Sequence, residues 1–244
     1  ETVTHGDVSC WHDVLENTPM RKFLPFVLAL SAGCAAPPQV PPAEPPPPRA
    51  AESLPHEAWE VVSSRLEVRV YRDGPMKQLG HNHVITSDAL DGVIELRDPR
   101  THSGFTLELP LASLVVDDAT ARAAAGPDFA NPVPAKDREG TTHNLLGPAV
   151  LDAARQAVLH LTADAISGGS GEYTAQVRVG LRGEERVIAV PLTVTFEGDR
   201  LQLHANLRLH HADLGLVPFS IALGALRVRD DIEIDCRLEA RRAT

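Results

Sequence analysis

The chain has 244 residues, 43% apolar and 23% charged, which is enough apolar side chain for one large domain or two small ones and excludes disorder throughout. Aromatic residues make up 4%, too few for the stacking platforms of single-strand nucleic-acid binders or the girdles of outer-membrane barrels, and a formal charge of −10 argues against nucleic acid as a partner. Three cysteines, Cys10, Cys34 and Cys236, supply neither a disulfide framework nor a clustered Cys zinc site.

The first organised segment begins at Met20. Arg21 and Lys22 form a basic n-region, and residues 23–30 an apolar run ahead of small residues, the order of a secretory signal. The run is about ten residues, whereas a bilayer-spanning helix needs roughly 20, so cleavage is expected rather than spanning. Ser31-Ala32-Gly33-Cys34 resembles a bacterial lipobox, with Ser31 where Leu is more usual, and implies cleavage before Cys34 and acylation of its thiol. A plain secretory signal with an incidental Cys34 is the alternative. Residues 1–19 precede this complete signal without an initiator Met and read as an upstream start, so 1–33 is expected to be upstream segment and signal peptide.

Residues 34–57 read as the lipidated cysteine and a linker. Eight prolines stand between Pro37 and Pro48, and proline fixes φ and lacks a donor, so helix and sheet are excluded. An extended spacer at about 3.1 Å per residue reaches roughly 60 Å, enough to hold a domain off a membrane surface. A docking ligand for a PxxP-binding module is the lesser reading.

Residues 58–244 are expected to form one all-β domain, because the dominant period is two. Leu66, Val68 and Val70 alternate with Arg65, Glu67, Arg69 and Tyr71; Ile94 and Leu96 alternate with Glu95 and Arg97; Phe105, Leu107, Leu109 and Leu111 share a parity. The pattern returns at Leu159 and Leu161, at Ala175 and Val177 onward, at Ile188 through Phe196, at Leu201 through Leu209 and at Ile232 through Leu238, making about eight strands. Asp73-Gly74-Pro75, residues 167–171, Arg182-Gly183 and Gly198-Asp199 are short turn signals that favour antiparallel hairpins. Two helical insertions are predicted, at residues 119–125 and 142–155, the second with Pro148 near its start.

Eight antiparallel strands with one apolar face close into a barrel or pack as a sandwich, and a barrel of that size can hold one small ligand. The outward parity carries Glu67, Arg69, Glu95, Arg97, Glu108, Gln176, Arg178, His204, Arg208, Asp235 and Arg237, so this face meets water. The inward parity is aliphatic, with Phe105, Phe129, Phe196 and Phe219 available to it, and lacks the convergent acids, Ser-His pairs or oxyanion donors of an enzyme.

Three stretches carry a family likeness. Gly80-His81-Asn82-His83-Val84-Ile85, Leu151-Asp152-Ala153-Ala154-Arg155 leading to Leu159-His160-Leu161, and His211-Ala212-Asp213-Leu214-Gly215-Leu216-Val217-Pro218-Phe219 before Leu223-Gly224-Ala225-Leu226-Arg227-Val228-Arg229-Asp230-Asp231 together resemble the YceI-like family, over residues 61–239. Arg182 stands where that family usually has a histidine before the hairpin glycine, and residues 126–140 replace a commonly Arg-Asp-rich approach to the first helix. The resemblance implies a lipocalin-like eight-stranded antiparallel barrel in a periplasmic or lipid-anchored protein, with a polyisoprenoid or isoprenoid quinone in its lumen. It brings no catalytic residues and no cofactor. Ala35 after Cys34, rather than Asp, favours the outer membrane by analogy with other lipoproteins.

The residues expected to meet such a ligand are Leu66, Val68, Val70, His81, His83, Leu107, Leu109, Phe129, Leu159, Leu161, Val177, Val179, Leu192, Val194, Phe196, Leu207 and Phe219. His81 and His83 share a strand parity and could converge on a metal, but no carboxylate or thiolate sits at ligand spacing; the plainer expectation is imidazoles bonded to local backbone, or a head-group contact at the barrel mouth. Asp213-Leu214-Gly215 reads as a turn, Asp230 and Asp231 as acids on opposite faces, and Cys236 as a small buried hydrophobe. Two other functions are weighed: an interaction module with a packed, ligand-free core, and a hydrolase or metal protein using His81 and His83.

Overall fold

The computed structural model describes residues 56–243; the signal segment, Cys34 and the proline-rich stretch before His56 lie outside the described residues. The described residues hold eleven strands: β1 His56–Asp73, β2 His83–Ser87, β3 Asp91–Arg97, β4 Gly104–Pro110, β5 Val115–Val116, β6 Val158–Gly169, β7 Glu172–Leu181, β8 Glu184–Glu197, β9 Arg200–His210, β10 Ser220–Ile221 and β11 Leu226–Arg242. Eight of them, β1, β3, β4, β6, β7, β8, β9 and β11, pair antiparallel in that order, and β11 pairs back onto β1. The expected closed meander is therefore what the chain forms, and closure leaves no unpaired edge in the main sheet.

Three features shape the barrel. The closing seam runs from Trp59↔Arg242 to Asp73↔Arg227, with register shifts at Val61/Ser63 and Val70/Arg72 that add the local twist a closed sheet needs. The first half of β1 pairs with β3 and the second half with β2, so β2 and β3 are two parts of one strand bent at residues 88–90. That bend is held by the Leu90 amide, which donates to Ser64 Oγ at 3.0 Å. Tight hairpins then fix the register of β6 to β8: Ser170-Gly171 and Arg182-Gly183 all have positive φ (56°, 91°, 55°, 80°), the two-residue turn that matches strand twist.

The helices test local signals. Helix α1, Ala119–Ala124, is where it was expected, and the Asp118 carboxylate caps it by accepting from the Thr120 and Ala121 amides. The second expectation is corrected: α2 spans Ala135–Leu146, not 142–155, and Gly147-Pro148 follows its end rather than opening it. Its residues, AKDREGTTHNLL, include none that is buried, so no apolar stripe marks it in the sequence. Pro134 immediately before it was the usable start signal.

Inside the barrel the aliphatic parity makes one core, including Leu107, Val177, Leu203 and Leu238. Complete burial of each such side chain is worth about 1.5–3 kcal/mol. One end is plugged: Trp59 and Leu201 are fully buried, Phe196 stands edge-on to Trp59 at 6.0 Å, and the Arg242 and Arg100 guanidinium groups cover the two rings at 5.4 and 5.8 Å.

Candidate functional site

Above the plug the barrel is hollow. A cavity of about 290 Å³ occupies its axis, at the lower end of the roughly 300–1,000 Å³ typical of small-molecule sites. Leu66, Val68, Val70, Leu159, Leu161, Val190, Leu207 and Ile234 face this space and remain only half-buried, because no protein atom fills the volume in front of them. A solid core would have buried them. Apart from Cys236 and His211, every lining side chain is aliphatic or aromatic.

At the end opposite the plug the lumen meets a second cavity of about 210 Å³. Val70, Ile85, Leu145, Val150 and His211 line both spaces and form the collar between them. This vestibule is polar on one side, with Tyr71, Arg72, His81, His83, Thr141, Asn144 and Arg227 in its wall. Leu145 of α2 and Val150 and Leu151 just after it reach the lumen, so this segment roofs the mouth.

The expected ligand-contacting residues fall into four places. Leu66, Val68, Val70, Leu107, Leu109, Leu159, Leu161, Val177, Val179, Leu192 and Leu207 line the lumen. Val194 and Phe196 lie at the plugged end, around a space of only about 40 Å³. His81, His83 and Phe219 line the vestibule. Phe129 is a correction: it packs in a separate cluster with Val84 and Ala121, 5.4 Å from the Tyr71 ring. It sits in a 3-10 turn, Pro127–Phe129, where strand parity carries no information about direction.

The two histidines are held by acids, not by local backbone as expected. His83 Nδ1 donates to Asp117 Oδ2 at 2.7 Å; Asp117 Oδ1 in turn accepts from Arg122 at 2.6 Å and from the Val84 amide at 3.0 Å. Arg122 also donates to the Asn82 and Asn131 carbonyls, at 2.8 and 2.7 Å. Burial by itself would push the Asp117 carboxyl up, but the hydrogen bond and charge of His83, the Val84 amide and Arg122 together hold it below the usual carboxylate range. His81 Nε2 faces Asp137 Oδ2 of α2 at 3.3 Å. Among the described residues no group of three His, Cys, Asp or Glu side chains is placed to hold a metal.

One collar residue escaped the sequence reading. His211 is buried and faces the collar; the signal was present, since the odd parity of Leu201 to Leu209 continues to it. Cys236 takes the inward place its parity predicted, in the lumen wall, and burial pushes its thiol up to about 11. At pH 8 its thiolate fraction is then about one in a thousand. A charged, water-soluble alkylating reagent is expected to modify the Cys236 peptide at least about 100-fold more slowly than an exposed cysteine, read by mass spectrometry of the digest. A lipid-soluble maleimide should reach it, and more slowly when an amphiphile is present; an unchanged rate would place the amphiphile elsewhere.

The vestibule opens through an apolar rim. Met76, Leu79, Val217, Ile221 and Leu223 are exposed, on two loops joined by the hydrogen bond from the Met76 amide to the Ala225 carbonyl (2.8 Å). Ala222 and Leu223 both hold left-handed backbone, φ 49° and 56°, which costs a non-glycine residue about 1–2 kcal/mol. That conformation leaves the Leu223 side chain wholly in solvent.

Among solved structures, BcnA of Burkholderia cenocepacia matches with a TM-score of 0.52 and 14% identity, over 74% of this chain and 96% of that one. The chain shares the fold of BcnA. The YceI protein of Campylobacter jejuni matches with a TM-score of 0.46 and 10% identity, over 64% of this chain and 82% of that one. No known family profile and no curated protein matches the sequence. At these identities the likeness to BcnA is one of fold: the eight-stranded closed barrel is common to both, and what this barrel holds is argued from its own cavity.

Proposed function

We propose that this protein binds, without catalysis, one long-tailed amphiphile of the polyisoprenoid or isoprenoid-quinone kind, its tail in the lumen and its head in the vestibule. The observation that carries this reading is the ring of half-buried aliphatic side chains around an empty axis that meets, at one end, a chamber with polar groups on one side. Burial of apolar area contributes about 25 cal/mol per Å², so withdrawing even half of a prenyl chain from water outweighs the cost of ordering it. Selection by tail length is weak, at about 1–3 kcal/mol per methylene-scale misfit. The packed-core alternative is disfavoured by the same empty axis.

The proposal extends to the cell envelope: export by residues 20–33, acylation at Cys34 and a proline-rich tether to an outer membrane. Mass spectrometry of the mature N-terminus tests that part, with an unmodified Cys34 excluding the anchor. Organic-solvent extraction of the purified protein tests the carrier itself. A co-purifying lipid, or stoichiometric uptake of added quinone, is expected; an empty lumen that takes up nothing would sink it.

The apolar rim suits loading from a bilayer, since exposed aliphatics around a cavity mouth enter the headgroup boundary of a membrane. Replacing Leu79 and Leu223 together by serine is expected to slow transfer from vesicles by about an order of magnitude, while affinity for a detergent-dispersed amphiphile stays within about twofold. Equal slowing of both measurements would locate the effect in the binding site rather than at the membrane.

A further inference from the structure

Two imidazoles at the mouth are fixed in the same sense. His211 Nδ1 lies 2.5 Å from the Asp230 carbonyl oxygen, which can only accept, so Nδ1 carries the hydrogen. His83 Nδ1 is likewise turned to the Asp117 carboxylate, which is itself occupied by Arg122 and the Val84 amide. In the neutral form of each ring Nε2 is then a bare lone pair. For His83 the nearest hydroxyl does not fill it: Thr141 Oγ1 is 3.5 Å away and donates its hydrogen to the Asp137 carbonyl at 2.9 Å. His211 has no other side-chain hydrogen bond among the described residues, and it lines both lumen and vestibule. His81 differs, because its own Nε2 faces the Asp137 carboxylate at 3.3 Å.

An acceptor at the head of a greasy tube discriminates by chemistry rather than size. A ligand O–H placed there donates to Nε2, whereas an ether or carbonyl oxygen brings a second lone pair against the first and leaves the nitrogen desolvated without a partner. Of the two cations in the vestibule wall, Arg227 is paired with the Asp73 carboxylate (2.8 Å), whereas Arg72 donates to the neutral Gly80 carbonyl (2.6 Å) and keeps its charge.

We infer that the collar is a hydroxyl-reading site: His211, assisted by His83, accepts a hydrogen bond from the head-group O–H, so the barrel prefers a prenol or quinol to the matching ether or quinone. This rests on the amphiphile reading above and names the head that reading left open.

The test uses the full chain, stripped of lipid, titrated with geranylgeraniol and with its methyl ether, which share one tail. Wild type is expected to bind the alcohol about tenfold more tightly, equivalent to about 1.4 kcal/mol. His211→Phe should bind both alike, at the level of the ether, and His211→Gln, which keeps an acceptor, should restore part of the preference. Equal affinities in wild type overturn the inference without any variant, as does a preference that survives His211→Phe in a folded protein. Failure of both probes to bind wild type overturns the amphiphile reading itself.

Discussion

Ala205→Phe is expected to abolish amphiphile uptake while leaving the barrel as stable as wild type or more so. Ala205 sits on β9 opposite Cys236 of β11, and both side chains line the lumen. A phenyl ring there takes volume that the tail needs, and at least a 100-fold loss of affinity is expected. The same ring buries new apolar surface against Leu207, Ile234 and their neighbours, which contributes about 25 cal/mol per Å². In a packed core the sign reverses, since an oversized side chain costs about 1–3 kcal/mol. Urea denaturation therefore separates the cases: a midpoint held or raised fits a hollow lumen, and a midpoint that falls fits a solid one.

Asp117→Asn is the substitution expected to cost most in stability, about 3–5 kcal/mol, because it leaves the buried Arg122 guanidinium without its counter-charge. Asparagine is chosen because residue 117 has φ 55°, a conformation that Asn tolerates as Asp does. The pH dependence follows from the lowered carboxyl. A group whose folded pKa lies below its unfolded value near 3.9 contributes stability that is complete above that value and is lost as pH falls through the folded one. Wild type should thus lose part of its stability below about pH 4, and Asp117→Asn should lack that part of the acid limb. An unchanged urea midpoint in Asp117→Asn at pH 7 would show that the Arg122–Asp117–His83 chain does not brace the mouth.

How far the sequence could be read depended on what each residue type reports. Parity placed Leu66, Leu107, Val177 and Leu207 toward a common interior, because a closed sheet with one wet face leaves alternation no other solution. Turn signals such as Arg182-Gly183 fixed the hairpins for the same local reason. The bend between β2 and β3 was not legible, since it depends on the Leu90 amide reaching Ser64, a partner 26 residues away. Neither was α2, whose polar sequence has no buried residue and reaches the lumen only through Leu145 and the turn that follows. The acid partners of His83 and His81 were also hidden: Asp117 and Asp137 lie 34 and 56 residues beyond them in sequence, and only the folded chain brings them within 2.7 and 3.3 Å. Phe129 shows the reverse error, an apolar residue counted as available to the interior, although its turn faces another cluster.

The decisive measurement is a crystal structure of the full chain grown with an isoprenoid alcohol brominated near its tail end. Bromine is expected on the barrel axis between Leu107, Val177 and Leu207, with the hydroxyl at the collar beside His211. Bromine bound only on the outer surface, or a lumen still empty at saturating alcohol, would contradict a carrier.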